Sequence, residues 1–129
     1  MIVASDVDVV GARQRGRELA GRLGFSPGDQ TVIAAAISEI ARNIVTYARH
    51  GEVQMRIEHD GDRSAVVVVA HDDGPGIDNI PLAMRDGYST SGGLGVGLGG
   101  ARQLMDEFEI VSVPGQGTSI TMRKWHRHA

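Results

Sequence analysis

Three groups of residues in this 129-residue chain have the types and spacing to do chemistry. The densest is a pair of glycine stretches, Asp72-Asp73-Gly74-Pro75-Gly76-Ile77 and Gly92-Gly93-Leu94-Gly95-Val96-Gly97-Leu98-Gly99-Gly100. Nine of the 18 glycines lie between Asp72 and Gly100. Each ordered glycine costs backbone entropy, so such density suits a backbone that turns sharply, approaches a ligand or moves. Leu98, Ala101, Leu104 and Met105 then begin a helical apolar spacing, and the free N–H groups of a helix start attract anions. The chemistry that fits is a nucleotide phosphate held where residues 93–99 enter the helix; a flexible surface loop is the plainer alternative. A second group is Glu39 and Asn43, four apart and so on one helix face. Taken alone, that pair reads first as a hydrogen-bonded surface pair, which is common on exposed helix faces. The third is Asp72, at the end of an apolar run, where a carboxylate can accept a hydrogen bond from an amino group in an adjoining pocket. Strand alternation alone leaves Asp73 an equal candidate.

The elements that must position these residues follow from periodicity. Ile2 and Val3 suit an edge strand, and Asp8 suits a helix cap. Val9, Val10, Ala12, Arg13, Arg17, Leu19, Ala20 and Leu23 form an amphipathic helix that Gly24 can end in a left-handed conformation. Arg13, Arg15, Arg17 and Arg22 read as its solvated face, with partner docking as the alternative. Ser26-Pro27 is a cap followed by proline at the first helical position, and Asp29 adds charge to the first turn. The second helix is expected to run to about His50, stopped by Gly51, with Ile33, Ile37, Ile40, Ile44 and Tyr47 as its core stripe. Ala34, Ala35, Ala36 and Ala41 keep it slim.

Val53, Met55 and Ile57 alternate with polar residues as a half-buried strand, and Asp60-Gly61-Asp62 is a hairpin turn. Residues 65–70, all alanine and valine, read as a central strand buried on both faces. Residues 78–92 lack periodicity and are long for a loop, which marks them as functional or mobile. A helix over about 95–107 is followed by strands at 109–113 and 118–124, joined through Pro114-Gly115-Gln116-Gly117. Residues 125–129 read as a polar tail with solvated histidines, since His126 and His128 alone are a poor metal site.

Composition narrows the class. The length suits one domain, 1–129, with 41% hydrophobic residues. A net charge of −3 without a basic stripe argues against nucleic acid. The absence of cysteine removes disulfides and thiolate metal sites. Neither a leader pattern nor an apolar run of membrane-spanning length is evident, so the expectation is a cytoplasmic protein with no membrane partner.

Among phosphate-binding plans, a P-loop needs Gly-Lys-Ser/Thr, and the only lysine is Lys124. The same absence argues against a eukaryotic-type protein kinase. Residues 95–100 match G-x-G-x-x-G, but no strand precedes them and no acidic residue ends a second strand about 20 residues on.

The set that remains resembles the GHKL family of ATPases and kinases. Ser38-Glu39-Ile40-Ala41-Arg42-Asn43 resembles its N-box, and Asp72-x-Gly74-x-Gly76 its first glycine box. Gly93-Leu94-Gly95-Val96-Gly97-Leu98 resembles the second box, and Gly117-Thr118 the final Gly-Thr. The chain looks most like the small bacterial serine/threonine kinases that phosphorylate STAS-domain antagonist proteins, the stressosome switch kinases in particular. A sensor histidine kinase is expected to add a dimerising helical segment, and His50 is a poor phosphoacceptor.

The resemblance implies an α+β two-layer sandwich, a mixed but mostly antiparallel sheet backed by about three helices, with an ATP lid at about 78–92. It implies that Asp72, rather than Asp73, bonds the adenine amino group, supported by Thr118 through water. It implies that Gly74 and Gly76 let the base approach, with Ile77 against the ring. Gly93, Leu94, Gly95, Val96, Gly97 and Leu98 would cradle the phosphates. Asn43 would hold Mg2+ with ATP, and Glu39 would act as general base. The implied partners are STAS-domain antagonist or scaffold proteins, with a PP2C-type phosphatase and a sigma factor as further candidates. An anti-sigma factor that sequesters its sigma subunit, and a nucleotide-regulated binding module, share the same boxes.

Overall fold

The structure, a computed structural model, describes residues 1–77, 79–84 and 97–127. Ile2–Val3 forms strand β1 at the sheet edge, as expected. Helix α1, Asp6–Arg22, begins earlier than the sequence suggested. Asp8 is therefore not its cap but lies within the first turn, where it reaches back to accept the Ala4 N–H at 2.9 Å. Gly24, at φ +89°, ends the helix. Its N–H bonds the Gly21 carbonyl, and the Phe25 N–H bonds that of Ala20, both at 3.1 Å, a Schellman pair.

Helix α2, Pro27–Asn43, starts at Ser26, whose hydroxyl accepts the Asp29 N–H at 3.1 Å. It does not run on to His50. Residues Ile44–Ala48 form a π-helical turn, Arg49 leaves it at φ +72°, and Gly51 already belongs to the next strand. The wider π turn changes the angular step between side chains. Ile33, Ile37, Ile40 and Ile44 stay in the core, but Tyr47 is rotated outward and is 45% exposed. Tyr47 is thus no part of the stripe.

Strands β2 (Gly51–Asp60) and β3 (Arg63–Asp72) form a regular hairpin, and Gly61 supplies a positive φ at its turn. The chain then passes through a short helix α3 (Ile80–Ala83) and helix α4 (Gly97–Leu104) to strands β4 (Glu107–Val113) and β5 (Gly117–Arg127). The strand order is β1-β2-β3-β5-β4. The α+β sandwich is as expected, but every described pairing is antiparallel rather than mixed. Strands β3 and β4 point the same way, and β5 returns between them, so no parallel neighbours arise. Val66, Val68, Ala70, Ile120 and Met122 on one sheet face join the isoleucines of α2 and Leu98 and Ala101 of α4 in the core.

Strand β3 is buried on both faces, as its valine run predicts, but the two covers differ. On the face away from the helices Ala65 and Val67 are buried beneath long neighbours. Val67 lies between Arg56 and Arg123, and Ala65 between Glu58 and Trp125. The Arg123 guanidinium binds the Glu58 carboxylate at 3.1 Å, and Arg63 stacks 3.9 Å over the Trp125 ring. The hydrogen bond from Arg123 holds the Glu58 carboxyl below the usual carboxylate range.

Three boundaries differ from expectation around the site. Residues 80–83 of the aperiodic segment are helical, capped by Asn79, whose side chain accepts the Leu82 N–H at 3.0 Å, and Met84 is buried. Helix α4 ends at Leu104 because Lys124 Nζ donates to its carbonyl at 3.0 Å and the Asp106 N–H bonds Arg123 O at 3.0 Å, drawing the chain onto the sheet. The stretch from Trp125 to Arg127 is not a tail but extends β5 against Arg63, Ser64 and Ala65. There the Trp125 indole donates to Glu107, and His126 packs on Phe25. His128 lies outside the described residues.

Candidate functional site

One cross-strand row gathers three polar side chains at the end of β3. Asp72 on β3 is paired with Thr118 on β5, and Thr118 with Ser112 on β4. All three positions share the parity of the core-facing residues, so their side chains lie under the helices. Asp72 is 6% exposed, whereas the Asp73 side chain is 87% exposed and lies 3.2 Å from His71 Nε2. Burial therefore separates the two: Asp72 is enclosed by protein and Asp73 faces solvent. Its Oδ1 accepts the Gly74 N–H at 2.9 Å, which orients the carboxylate and leaves Oδ2 as an acceptor.

Ser112 is a member of this row that the sequence reading missed. Its hydroxyl accepts the Ile77 N–H at 2.7 Å and lies 2.8 Å from the Thr118 hydroxyl. It thereby ties the first glycine box to the Gly-Thr pair. The signal was present in the sequence. Phe108 and Ile110 face inward on β4, and Ser112 is the polar residue that continues their alternation.

The glycines of the first box serve the protein's own packing. A Cβ on Gly74 would lie 2.6 Å from Ala48 Cβ in the π turn. One on Gly76, at φ +75°, would lie 2.5 Å from the Val113 carbonyl oxygen. The box is clamped between the end of α2 and the β4–β5 turn, where the Gly115 N–H bonds Pro75 O at 2.7 Å. Gly117 is the tightest case: at φ +113°, its backbone runs where any Cβ would collide with the Asp72 carbonyl. The missing side chains thus bring the strand end, the π turn and the Gly-Thr turn together around Asp72.

The second end lies where α2 meets α4. Glu39, whose side chain is 12% exposed, divides its carboxylate between two donors. One oxygen takes Arg42 Nη1 at 2.7 Å, and the other takes the Gly97 N–H at 3.1 Å. Gly97, at φ +71°, is the first residue of α4, so a carboxylate sits on the amide end of the helix. That is the position an anion favours. Asn43, one turn beyond Glu39, is half-buried at the end of α2. Ser38, the first residue of the N-box, donates back to Ala34 O at 2.9 Å and is a buried packing residue. Arg42 is the second residue that sequence reasoning overlooked, although its three-residue spacing from Glu39 was legible.

Leu98 places its side chain in the core. Gly93, Leu94, Gly95 and Val96 lie outside the described residues, as do Asp78 and residues 85–92 of the expected lid. Among the described residues no group of three or more His, Asp or Glu could hold a metal by itself. No described helix is long and apolar enough to cross a membrane.

A family model described as the histidine kinase-like ATPase domain matches residues 2–124, and the chain belongs to that family. It is 48% identical to the serine/threonine-protein kinase RsbT of Bacillus subtilis, over 97% of this chain and 94% of that protein. An anti-sigma F factor of Clostridium beijerinckii is 31% identical, over 71% of this chain and 68% of its own. Among solved structures, the RsbU and RsbW domains of a Mycobacterium tuberculosis protein superpose with a TM-score of 0.63 at 20% identity. That match covers 98% of this chain and 32% of the other. The mycobacterial sensor histidine kinase MprB gives 0.55 at 17%, over 95% of each chain. At such identities these two carry the fold alone.

Proposed function

We propose that this chain is a protein-serine/threonine kinase that uses ATP and Mg2+ to phosphorylate a STAS-domain antagonist or scaffold protein in a bacterial partner-switching stress pathway. The observation that carries the reading is the contact of Glu39 with the Gly97 amide. It puts the candidate base directly against the backbone that the second glycine box delivers. The near-full-length identity to RsbT supports the same reading.

The donors and acceptors present fit the cofactor. Asp72 keeps one oxygen for an amino group, which suits adenine and opposes the guanine 6-oxo group. Thr118 and Ile77 adjoin it, and Gly74 and Gly76 hold the strand end in place. The amide end of α4 already carries an anionic partner in Glu39, the charge type that phosphate oxygens would bring. Residues 93–98 would complete that cradle, under a lid at about 78–92. Asn43 would contribute one neutral oxygen to Mg2+, an ion that commonly takes few protein ligands and the rest from phosphate and water.

Bound ATP supplies the phosphoryl group, and Mg2+ neutralises its charge. The chain's own contribution is positioning and proton transfer, which dominate in this reaction class. Glu39 accepts the proton of the attacking serine or threonine hydroxyl. Arg42 fixes the direction of that carboxylate from the solvent side. The Gly97 N–H that Glu39 now holds would be shared with a phosphate oxygen when nucleotide is bound. Loss of that bond would leave one Glu39 carboxylate oxygen for the hydroxyl. A cytoplasmic location goes with this reading, and a PP2C-type phosphatase activated by binding is a further partner.

Labelled ATP incubated with candidate STAS proteins tests the proposal. Glu39→Gln should bind ATP and the STAS protein but lose about 10²–10⁴ in transfer rate. Glutamine can keep its one oxygen for the Gly97 N–H, so the helix anchor survives while the Arg42 contact is lost. Asn43→Ala should lose both Mg-ATP affinity and turnover. A Glu39→Gln protein with unchanged transfer would reduce this carboxylate to a structural residue. The anti-sigma relatives favour a second reading, in which the chain sequesters a sigma factor. Co-purification with a sigma subunit, undiminished in Glu39→Gln, would support it.

A further inference from the structure

Among the described residues, the edge of the sheet opposite β4 carries an unfilled strand position. Strand β1 covers only the beginning of β2, pairing Val3 with Gly51 and Ile2 with Glu52. Met1 and Val53 then exchange backbone hydrogen bonds at 2.9 and 3.1 Å, and the pairing stops. Strand β2 continues to Asp60. Its antiparallel register fixes which backbone groups face outward. Val53 directs its N–H and C=O towards β1, and outward groups recur at every second residue. Met55, Ile57 and His59 therefore each turn an N–H and a C=O away from β3, with no strand beside them among the described residues. An edge of this length is normally paired, covered or blocked.

Helix α1 runs alongside this edge and makes it a groove rather than a flat rim. The groove encloses about 490 Å³ and is lined by Met1, Gly11, Arg15, Leu19, Arg22 and Met55, with Gln14 and Glu18 also on its helix side. Met1, Leu19 and Met55 give it an apolar floor. Gly11 narrows the helix there, and Met1 Cε sits 3.0 Å from where its Cβ would be. Arg15 and Arg22 are exposed on the rim, and neither takes part in a described ion pair. Glu18 is the one opposing charge of the lining. Arg56, on the other face of β2, is 53% exposed but already ion-paired to Glu58 at 3.2 Å, so among the described residues the unpaired cations beside the groove are Arg15 and Arg22.

We propose that this groove docks an extended acidic segment of a partner protein, which adds to β2 as a new edge strand in line with β1. Backbone bonds to Met55, Ile57 and His59 hold it in register. Alternate side chains descend on Leu19 and Met55, and carboxylates meet Arg15 and Arg22. Strand addition beside a helix draws its affinity from the main chain and its selectivity from such side-chain positions. The docking site lies on α1 and β2 and uses none of the residues assigned to nucleotide chemistry. It also gives Arg15 and Arg22 of α1 a role beyond solvation.

The test is an amide-resolved NMR titration of the full chain with two blocked peptides of about eight residues, long enough to span the open edge. One alternates valine with glutamate, the other valine with lysine. The expected result is a saturable shift of the Met55, Ile57 and His59 amides by the glutamate peptide, with the lysine peptide at least about tenfold weaker. Replacing Arg15 and Arg22 together by glutamate should reverse that preference; both are exposed, and the rest of the spectrum reports the fold. N-methylating the peptide at alternate residues should abolish binding in one frame only. Three results would overturn the proposal. Two are equal binding of the two peptides, and amides that stay unmoved at millimolar peptide. Alternatively, those amides are already protected in the free chain and become exposed on dilution, which would identify a second copy of the chain as the occupant.

Discussion

Replacing Asp72 by asparagine separates the two jobs of its side chain. In the native chain Oδ1 accepts the Gly74 N–H at 2.9 Å. An asparagine can keep that bond only by placing its single carbonyl oxygen there. Its NH2 group then occupies the position of Oδ2 and presents donors where adenine presents a donor. The change removes one hydrogen bond to a charged acceptor and leaves two donors facing each other. The expected loss is about 2–3 kcal/mol of nucleotide affinity, or about 30–150-fold in Kd. Stability should change by less than about 1 kcal/mol, because shape and the Gly74 bond are retained. Guanine offers an acceptor at the same position, so the preference for ADP over GDP should narrow or invert. Calorimetry with ADP and GDP in Mg2+, beside a thermal melt, measures all three quantities. Asp72→Asn that binds ADP within about threefold of the native chain, with an unchanged melt, would refute the assignment of Asp72 as base reader. If Asp73→Asn lost affinity instead, the ordering of the two aspartates by burial would fail.

Other expected outcomes test the frame around the site. Ser112→Ala leaves the Ile77 N–H and the Thr118 hydroxyl without their shared partner. It should destabilise the chain by about 1–3 kcal/mol and weaken ATP binding, read by denaturant melts and calorimetry. Gly117→Ala drives a Cβ into backbone that cannot yield and should cost more than about 2 kcal/mol. Gly115→Ala, at φ +80° but with nothing within 4 Å, should cost only the left-handed strain of about 1–2 kcal/mol. Equal losses for the pair would mean that crowding is not what Gly117 relieves. The Glu58 carboxyl is held below its ordinary pKa by Arg123, so it stabilises the fold fully above the ordinary carboxylate value. That contribution disappears as pH falls through the lowered value. Glu58→Gln should therefore flatten the acid limb of the stability curve and leave its slope near neutrality unchanged, measured by urea melts from neutral pH downward.

The sequence by itself determined the features that rest on local chemistry. The Ser26-Pro27 start, the Gly24 stop, the Gly61 hairpin and the alternation of β2 all depend on residues within a few positions of one another, and all are where local rules put them. The four glycine and N-box motifs were legible for the same reason, and with them the family. Contacts between distant segments decided the rest. The π turn that expels Tyr47 has no local signature, and it meets a glycine more than twenty residues away, since Gly74 leaves the space that Ala48 fills. Helix α4 ends where Lys124 and Arg123 of β5 reach it, not where its own spacing would stop. The apparent tail after Lys124 is a strand because β3 is long enough to pair with it, giving its backbone groups partners that a solvated tail would lack. The valine run announced burial on two faces, but only the register showed that Arg56, Glu58, Arg123 and Trp125 provide the second cover. Asp72 and Asp73 are adjacent in sequence and equivalent by composition. The pleat of β3 turns one under the helices and the other into solvent, and that choice belongs to the sheet.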